Sequence, residues 1–403
     1  MKSFKILGYA LAISTMLSCS DDENGITEKT ILEEENTALL ISDVNSTKLN
    51  LLKPFDKTVQ SFEASYSGGS VYVTESGSYG VITHRDHNFT ETFSLGGEIP
   101  HGDHSHNLGE VGMGAISFES EKPTHFKSEQ GFVLVYNDGD ATLNLFNENS
   151  IHNNASLVRS IGTGSVAHHG AMVVFNNGTI AVTALGNGVG LPEKVQIINQ
   201  SGEVVYGGES SVVTSGIHGS AGNGTVAVFG SNTGVLVVKS TGEQSLIDYP
   251  NDFEENVWFG SLLSTNVANV FVGYTASKGV YFINIDSKKI TPVFENTNLF
   301  KCMMSKEGDL VAGLSKEGNF SVTDVVSGVV QYQGKLNITM DTESTDHGSV
   351  ISNMAITDSF LYISIPSNKK IVQIDLADLT IQNEFNLEIT PYQFQVLKHD
   401  LDH

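Results

Sequence analysis

Residues 168–184 read HHGAMVVFNNGTIAVTA and contain the pattern that decides the fold. Two β-branched, apolar runs, Ala171–Phe175 and Thr179–Thr183, flank the turn Asn176-Asn177-Gly178. Short runs of this composition on either side of a Gly-containing turn predict two antiparallel strands joined by a hairpin. Two histidines and a glycine come directly before the first strand, so they are expected at one end of the hairpin.

The same plan recurs along the chain at spacings of roughly 40 to 50 residues, which is typical of the four-stranded blades of a β-propeller. Units begin near Gly69, Gly114, His169, His218, Trp258, Phe300 and Gly348. Residues 38–62 supply about three more strands and Tyr392–Leu397 one, which together make an eighth unit. We therefore predict a single all-β propeller of eight four-stranded blades, closed by strands from both termini so that no edge strand stays exposed. Seven blades are the alternative.

The N-terminal segment has the features of an export signal. Lys2 and Lys5 precede an apolar stretch too short to span a bilayer, and Met16-Leu17-Ser18-Cys19 resembles the lipidation motif of bacterial lipoproteins. We expect a signal peptide at 1–18, lipidation of Cys19, an acidic flexible tether at 19–36 and the propeller at 37–403. The predicted location is the cell envelope, with a lipid anchor in the outer membrane, on its periplasmic face or at the cell surface.

The composition limits the partners. The formal net charge of −24 disfavours contact with nucleic acid and with anionic membranes, so membrane association is expected through the lipid alone. Cys302 is the only cysteine besides Cys19, which excludes a disulfide within the mature domain and a cysteine-rich metal site.

Histidine is the residue type that indicates a function. Five of the 13 histidines fall in His84-Arg85-Asp86-His87 and His101-Gly102-Asp103-His104-Ser105-His106. Neutral imidazole is the commonest protein ligand for zinc, copper and nickel, and aspartate oxygen also binds zinc. A solvated polar loop is the alternative interpretation of these two segments.

Three further histidine motifs each precede a predicted inner strand: His168-His169-Gly170, His218-Gly219 and Asp346-His347-Gly348. In a propeller, loops that lead into inner strands open on the same face as loops between second and third strands. We assign the 101–106 tract to a loop before an inner strand at Gly114–Phe118, and 84–87 to a second-to-third-strand loop. All five groups are then expected at one mouth of the channel, unless the histidines only make packing hydrogen bonds.

This placement predicts a zinc site in the mouth. We expect His87, His169, His218 and His347 to form or border it, with Asp86 as a ligand or as a partner that orients an imidazole. Further candidate ligands are His84, His101, Asp103, His104, His106 and His168. His125, His152, His399 and His403 are interpreted as ordinary surface histidines. Copper and nickel are not excluded. No nucleophile motif or phosphate loop is present, so no catalytic residue is predicted and the protein is not expected to be an enzyme.

At these residues the chain resembles the periplasmic zinc metallochaperones of the AztD type. The similarity is carried by Arg85-Asp86-His87-Asn88, Glu98–His106, His168-His169-Gly170, Ile217–Ala221 and Val228–Gly230, and it continues to the closing unit. The resemblance implies a β-propeller that binds zinc centrally and hands it to the solute-binding protein of an ABC importer. It also implies a mobile His-rich loop over the site, for which the glycines in 97–109 are suited.

The leading hypothesis is a zinc metallochaperone or zinc-scavenging lipoprotein that passes the ion to such a solute-binding protein or to another zinc uptake component. One alternative is a propeller that serves as a protein-interaction scaffold in the envelope, with incidental histidines. Another is a metal-dependent hydrolase that uses the same mouth.

Overall fold

The structure is a computed structural model that describes residues 33, 35–101, 104–153, 157–185, 190–343 and 350–399, with backbone only at 99–101 and 104. The predicted signal peptide, Cys19 and most of the predicted tether lie outside these residues. Glu33, near the end of that tether, is buried, and the Ser359 hydroxyl donates to its carboxylate over 2.6 Å. Within the described residues, no helix has the length and apolar character needed to cross a membrane.

The described strands form eight antiparallel four-stranded sheets, the blades, and an inserted two-stranded hairpin. Blade 1 contains β1 (Thr37–Asp43), β2 (Lys48–Lys53), β3 (Thr58–Glu63) and β34 (Pro391–Lys398). Blade 2 contains β4 (Ser70–Val73), β5 (Tyr79–His84), β6 (Phe89–Ser94) and β9 (Gly112–Glu119), and the hairpin of β7 (Glu98–His101) and β8 (His104–Asn107) lies between β6 and β9.

Blades 3 to 5 are each built from four consecutive strands. Blade 3 contains β10 (Pro123–Glu129), β11 (Phe132–Asn137), β12 (Thr142–Asn147) and β13 (Arg159–Gly162). Blade 4 contains β14 (Met172–Val174), β15 (Ile180–Ala184), β16 (Lys194–Ile198) and β17 (Val204–Tyr206). Blade 5 contains β18 (His218–Gly222), β19 (Val226–Ser231), β20 (Gly234–Lys239) and β21 (Gln244–Ile247).

Blades 6 to 8 are also built from four consecutive strands each. Blade 6 contains β22 (Ser261–Ser264), β23 (Val270–Thr275), β24 (Gly279–Asn284) and β25 (Lys289–Glu295). Blade 7 contains β26 (Leu299–Met304), β27 (Leu310–Ser315), β28 (Asn319–Asp324) and β29 (Val330–Lys335). Blade 8 contains β30 (Met354–Ile356), β31 (Phe360–Ile365), β32 (Lys370–Asp375) and β33 (Ile381–Asn386). The short helices whose bounds the structure describes are α1 (Ser150–Asn153) and 3-10 turns at Arg85–His87, Gly208–Ser210 and Pro366–Asn368.

The prediction of an eight-bladed propeller closed by both termini is confirmed. In blade 1, β34 pairs antiparallel with β1, with Leu39 opposite Val396 and Ile41 opposite Phe394. The innermost strands of the blades are β4, β10, β14, β18, β22, β26, β30 and β34. We call the face at which these inner strands begin the upper face, and the face at which they end the lower face.

The apolar core is divided among clusters between neighbouring blades. One cluster joins Leu134 and Tyr136 of blade 3 to Met172 and Val182 of blade 4. Each blade therefore buries apolar side chains on both faces, which explains why the inner and middle strands are so rich in valine, isoleucine and leucine. The turn at Gly178 has a φ of 78°, a conformation that glycine adopts at low cost.

One predicted unit boundary is wrong. The run near Gly114 belongs to β9, the outermost strand of blade 2, and the inner strand of blade 3 is β10. The 101–106 tract therefore lies between the third and fourth strands of blade 2. Ser94, where β6 ends before the hairpin, pairs with Tyr79, whereas the upper end of the same blade pairs His84 with Phe89. The tract is thus on the lower face, and its predicted place beside the other histidines is incorrect.

Candidate metal centre

Three imidazoles from three adjacent blades converge near the upper end of the channel. His125 lies on β10, His169 precedes β14, and His218 is the first residue of β18. The Nε2 atom of His169 is 3.1 Å from Nε2 of His125 and 3.0 Å from Nε2 of His218. The regular spacing of the inner strands around the channel brings these side chains together from positions 44 and 49 residues apart in the chain.

The groups behind two of the rings fix their tautomers. His169 Nδ1 is 2.7 Å from Oδ2 of Asp138, and His218 Nδ1 is 2.7 Å from the carbonyl oxygen of Gly260. A carboxylate and a carbonyl can only accept, so both Nδ1 atoms carry the hydrogen. In the neutral rings the two Nε2 atoms therefore present lone pairs to each other across 3.0 Å. A cation between them, a proton or a metal ion, relieves that repulsion.

Two of the three spacings fit a tetrahedral ion. Imidazole nitrogens that are roughly 2.0–2.1 Å from a tetrahedral zinc ion lie about 3.3 Å from one another. The distances from His169 Nε2 to His125 Nε2 and His218 Nε2, 3.1 and 3.0 Å, reach that value with ring movements of a few tenths of an ångström. The ligand atoms that already lie within 4.8 Å of one another are those of His125, Asp138 and His169, so His218 must turn towards His125 to complete a three-histidine site. Hydrogen bonds from the opposite ring nitrogen to a carboxylate or a carbonyl are also the usual support of metal-binding histidines.

Asp138 links the centre to the upper loop of blade 2. Its buried carboxylate accepts from His169 through Oδ2, and the same oxygen is 3.3 Å from the Arg85 guanidinium. Burial raises the pKa of Asp138, but the interactions with His169, Thr124 and His125 together outweigh burial and hold the pKa below its usual range. A carboxylate oxygen of Asp138 also lies within 4.8 Å of the ligand nitrogens of His125 and His169. Asp138 is thus the partner that orients the His169 ring towards the centre.

His125 is suited to bind a metal as a neutral ring. Burial lowers its pKa to about 3, and the adjacent His169 and His218 act in the same direction. A ring that resists protonation keeps its Nε2 lone pair available at neutral pH.

A cavity of about 830 Å³ opens above the centre at the upper face. It is lined by His169 and His218 and by the 84–87 segment, which includes Asp86 and His87. Asp86 and His87 are exposed, and His87 stacks on Tyr66 with ring centroids 4.1 Å apart. These two residues share the cavity with the centre as predicted, at its rim. Their role as ligands stays a prediction.

Two predicted ligands, His84 and His168, lie within hydrogen-bond distance of other protein groups. The buried His84 ring contacts Glu91 Oε1 through Nε2 at 2.7 Å. The His168 ring lies within hydrogen-bond distance of the Val166 carbonyl through Nδ1 and of the Thr183 hydroxyl through Nε2. His168 therefore makes packing hydrogen bonds, and only the second histidine of the His168-His169 pair faces the centre.

The glycines that follow His169 and His218 are required because a side chain at either position would clash with a neighbouring group. A Cβ at Gly170 would lie 2.2 Å from the ring of Tyr136, and one at Gly219 would lie 2.7 Å from the Gly260 carbonyl oxygen that accepts from His218. Glycine lets the inner strand approach these neighbours closely, which sets the position of the preceding histidine.

The remaining predicted ligands divide as follows. His347 and Asp103 lie outside the described residues, as do the side chains of His101 and His104. His106 is exposed on β8 at the lower face, away from the centre. The interpretation of His125 as an ordinary surface histidine is wrong, and Asp138 was missed. A usable signal is the alternation His125-x-Lys127-x-Glu129, which puts three polar side chains on one side of an inner strand.

The geometry defines an eight-bladed propeller with a histidine-rich centre at one mouth. No family model matches the chain. The chain is 20% identical over 389 residues to the protein named zinc chaperone AztD of Citrobacter koseri, covering 89% of this chain and 86% of that protein. The structure of apo AztD from Citrobacter koseri superposes with a TM-score of 0.76 at 17% identity, over 90% of this chain and 98% of that one.

The resemblance to AztD-type proteins indicated by the motifs is thereby confirmed in sequence and in fold. A more distant likeness is to dihydro-heme d1 dehydrogenase NirN in complex with DHE, with a TM-score of 0.58 and 11% identity over 90% of this chain and 75% of that one. At these identities the structural likenesses show the propeller fold alone.

Proposed function

We propose that this protein is a zinc carrier of the cell envelope, which binds the ion through His125, His169 and His218. The observation that carries the proposal is the approach of His125 Nε2 and His218 Nε2 to His169 Nε2, with the tautomers of His169 and His218 fixed by Asp138 and Gly260. The similarity to a protein named zinc chaperone supports zinc as the cargo. Copper and nickel also favour imidazole, so metal selectivity belongs in the test.

The open cavity favours a carrier over a permanent store. Three imidazoles leave one position of a four-coordinate ion to Asp138, water or a ligand from an acceptor. An acceptor that reaches into the upper cavity can take that position first and then displace the histidines one at a time. We propose as acceptor the solute-binding protein of an ABC zinc importer or another zinc uptake component. Lipid attachment at Cys19 to the outer membrane would hold the carrier near the source of the ion.

The predicted ligands outside the centre have separate proposed roles. Asp86 and His87 receive the ion at the cavity rim. His347 stays a proposed ligand, and His101, Asp103, His104 and His106 are proposed to bind zinc separately from the centre. His84 and His168 support the surrounding loops.

A zinc hydrolase is the second candidate, because three histidines with an open position also describe many catalytic zinc sites. Turnover of model esters by the zinc-loaded protein would favour it. A scaffold role would be favoured if the purified protein held no metal. Neither is the function we propose.

The test begins with the metal content of the full chain purified without added zinc, measured by mass spectrometry. Competition with a chelating dye then gives the zinc affinity and its preference over copper and nickel. His218→Ala and His169→Ala are expected to weaken binding at the centre by at least about 100-fold.

His152→Ala is the matched control, because that ring is hydrogen-bonded to Tyr79 and not to the histidines of the centre. It should bind like the parent protein. If the His218→Ala, His169→Ala and parent proteins all bind zinc alike, the central site does not exist.

A further inference from the structure

Strand β10 presents a column of polar side chains to the channel. His125, Lys127 and Glu129 are spaced by two residues, which places them on one side of the strand. His125 joins the metal centre, and Glu129 lines a second cavity of about 840 Å³ at the lower face. Lys127 lies between the two.

The Lys127 side chain reaches past the inner strand of the neighbouring blade. Its Nζ donates to the carbonyl oxygen of Ser220 over 2.6 Å. Lys127 belongs to blade 3 and Ser220 to blade 5, so the side chain passes in front of the inner strand of blade 4. Lys127 and Ser220 each follow a centre histidine, His125 and His218, by two residues. The Lys127–Ser220 link therefore forms the layer directly beneath the histidines.

The two cavities lie at opposite ends of the channel. The upper cavity is lined by the starts of inner strands, and the lower one by their ends, including Thr74, Glu129, Gly222 and Met304. Lys127 occupies the level between them on β10. A cation that moved from the metal centre to the lower cavity along blades 3 to 5 would meet its ammonium group.

We propose that Lys127 blocks the path directly beneath the metal centre, along blades 3 to 5, so that zinc enters and leaves through the upper cavity. This inference rests on the proposed function and adds a direction to it: the acceptor must dock on the upper face. An amine offers only donors and, when charged, repels a divalent cation.

The test blocks one mouth at a time in the full chain. A single cysteine is introduced at Ser67→Cys, an exposed position on the upper cavity, or at Ala268→Cys, an exposed position on the lower one, in a Cys19→Ser background. Cys302 stays unlabelled because it is buried and burial raises the pKa of its thiol. Each variant is coupled to a large polyethylene glycol maleimide, and zinc loss to a chelator is followed in time.

The upper label is expected to slow zinc loss at least about tenfold, and the lower label to leave the rate within about twofold of the unlabelled variant. Equal slowing by both labels, or slowing by the lower label alone, would overturn the inference while zinc binding itself stood. Failure of the unlabelled proteins to bind zinc would overturn the proposed function and this inference with it.

Lys127→Ala tests whether this residue is the barrier. With the upper label in place, the variant is expected to regain most of the rate of zinc loss to the chelator, because zinc then has a route to the lower cavity. Retention of one zinc ion per chain shows that the variant is folded. If a folded Lys127→Ala variant stays as slow as the labelled parent, Lys127 is not the barrier. The comparison of the two labels does not depend on this variant.

Discussion

Asp138 is the residue on which the proposed affinity depends most after the histidines. Its carboxylate holds the Nδ1 hydrogen of His169, directs Nε2 to the centre and makes the ring a stronger donor. Asp138→Asn keeps the size of the side chain and removes the charge. Zinc affinity is expected to fall roughly 10- to 100-fold, measured by dye competition.

Arg85→Met provides the contrast. The guanidinium shares Oδ2 of Asp138 with His169, so its removal leaves the carboxylate to the imidazole and takes a positive charge from the centre. Zinc affinity should rise. If both substitutions change affinity in the same direction, the role assigned to the Asp138 charge is wrong.

Glu129 gives the fold a pH dependence that is separate from the metal centre. Burial raises its pKa to about 7, with Lys127 opposing and Glu75 reinforcing the shift. Between an unfolded-state value of about 4.3 and this value, the folded protein binds more protons than the unfolded chain. The contribution of Glu129 is therefore present at low pH and is lost as the pH rises towards 7.

Glu129→Gln removes the titrating group and with it this pH-dependent loss of stability. The difference in unfolding free energy, variant minus parent, is therefore expected to increase as the pH rises from about 4.3 to about 7, by at most about 1.4 kcal/mol per pH unit. Denaturant unfolding of metal-free protein between pH 5 and pH 7.5 measures it (a range set by these pKa values). A difference between variant and parent that is independent of pH would show that Glu129 has an ordinary pKa.

At the scale of elements, the hairpin β7–β8 separates the two histidine-rich segments. A shuttle that swings this loop over the centre requires both on one face, and the structure places them at opposite ends of blade 2. Deletion of residues 101–106 is therefore expected to leave zinc affinity at the centre and release through the upper mouth unchanged, within about twofold.

The measurement is zinc release from the deleted and parent proteins to the same chelator, together with total zinc bound per chain. A lower total with an unchanged rate would assign the hairpin its own site. Slower release from the centre would restore the shuttle hypothesis.

The sequence predicts the blades well, because strand and turn patterns are local. Asn176-Asn177-Gly178 specifies a hairpin, and β-branched runs specify strands buried on both sides. Local strand and turn patterns do not reveal a hairpin inserted between the third and fourth strands of a blade. The run at Gly112–Glu119 has the composition of any other strand, and only its pairing with β6 shows that it is outermost.

The site was predictable where a loop motif marks an inner strand. His169 and His218 each precede a glycine at that junction, and the structure brings both to the centre. His125 lies within β10 and has no glycine motif beside it, so its alternation with Lys127 and Glu129 is the signal that marks it. Asp138 follows β11, and its distance from His169 depends on how blades 3 and 4 pack against each other.

At the scale of the whole molecule, the metal centre depends on a closed ring. The net charge of −24 attracts cations without choosing among them, so selectivity must come from rigid geometry. The three imidazoles belong to different blades, and their spacing is set by the packing of blade on blade. Blade 1 closes that packing, because β34 from the C-terminal end pairs with β1 from the N-terminal end.

Truncation before Pro391 should therefore open the ring. It removes the buried side chains of Phe394 and Leu397 and exposes the pairing edge of β1. We expect a loss of more than about 4 kcal/mol in unfolding free energy and loss of zinc binding at the centre, although no ligand is deleted. Thermal unfolding and dye competition measure the two effects. Truncation after His399 is the control and should behave like the parent. The chain truncated before Pro391 could instead keep the parental melting temperature and zinc affinity. The seven remaining inner strands would then be rigid without ring closure, and closure of the ring would not be what positions the histidines.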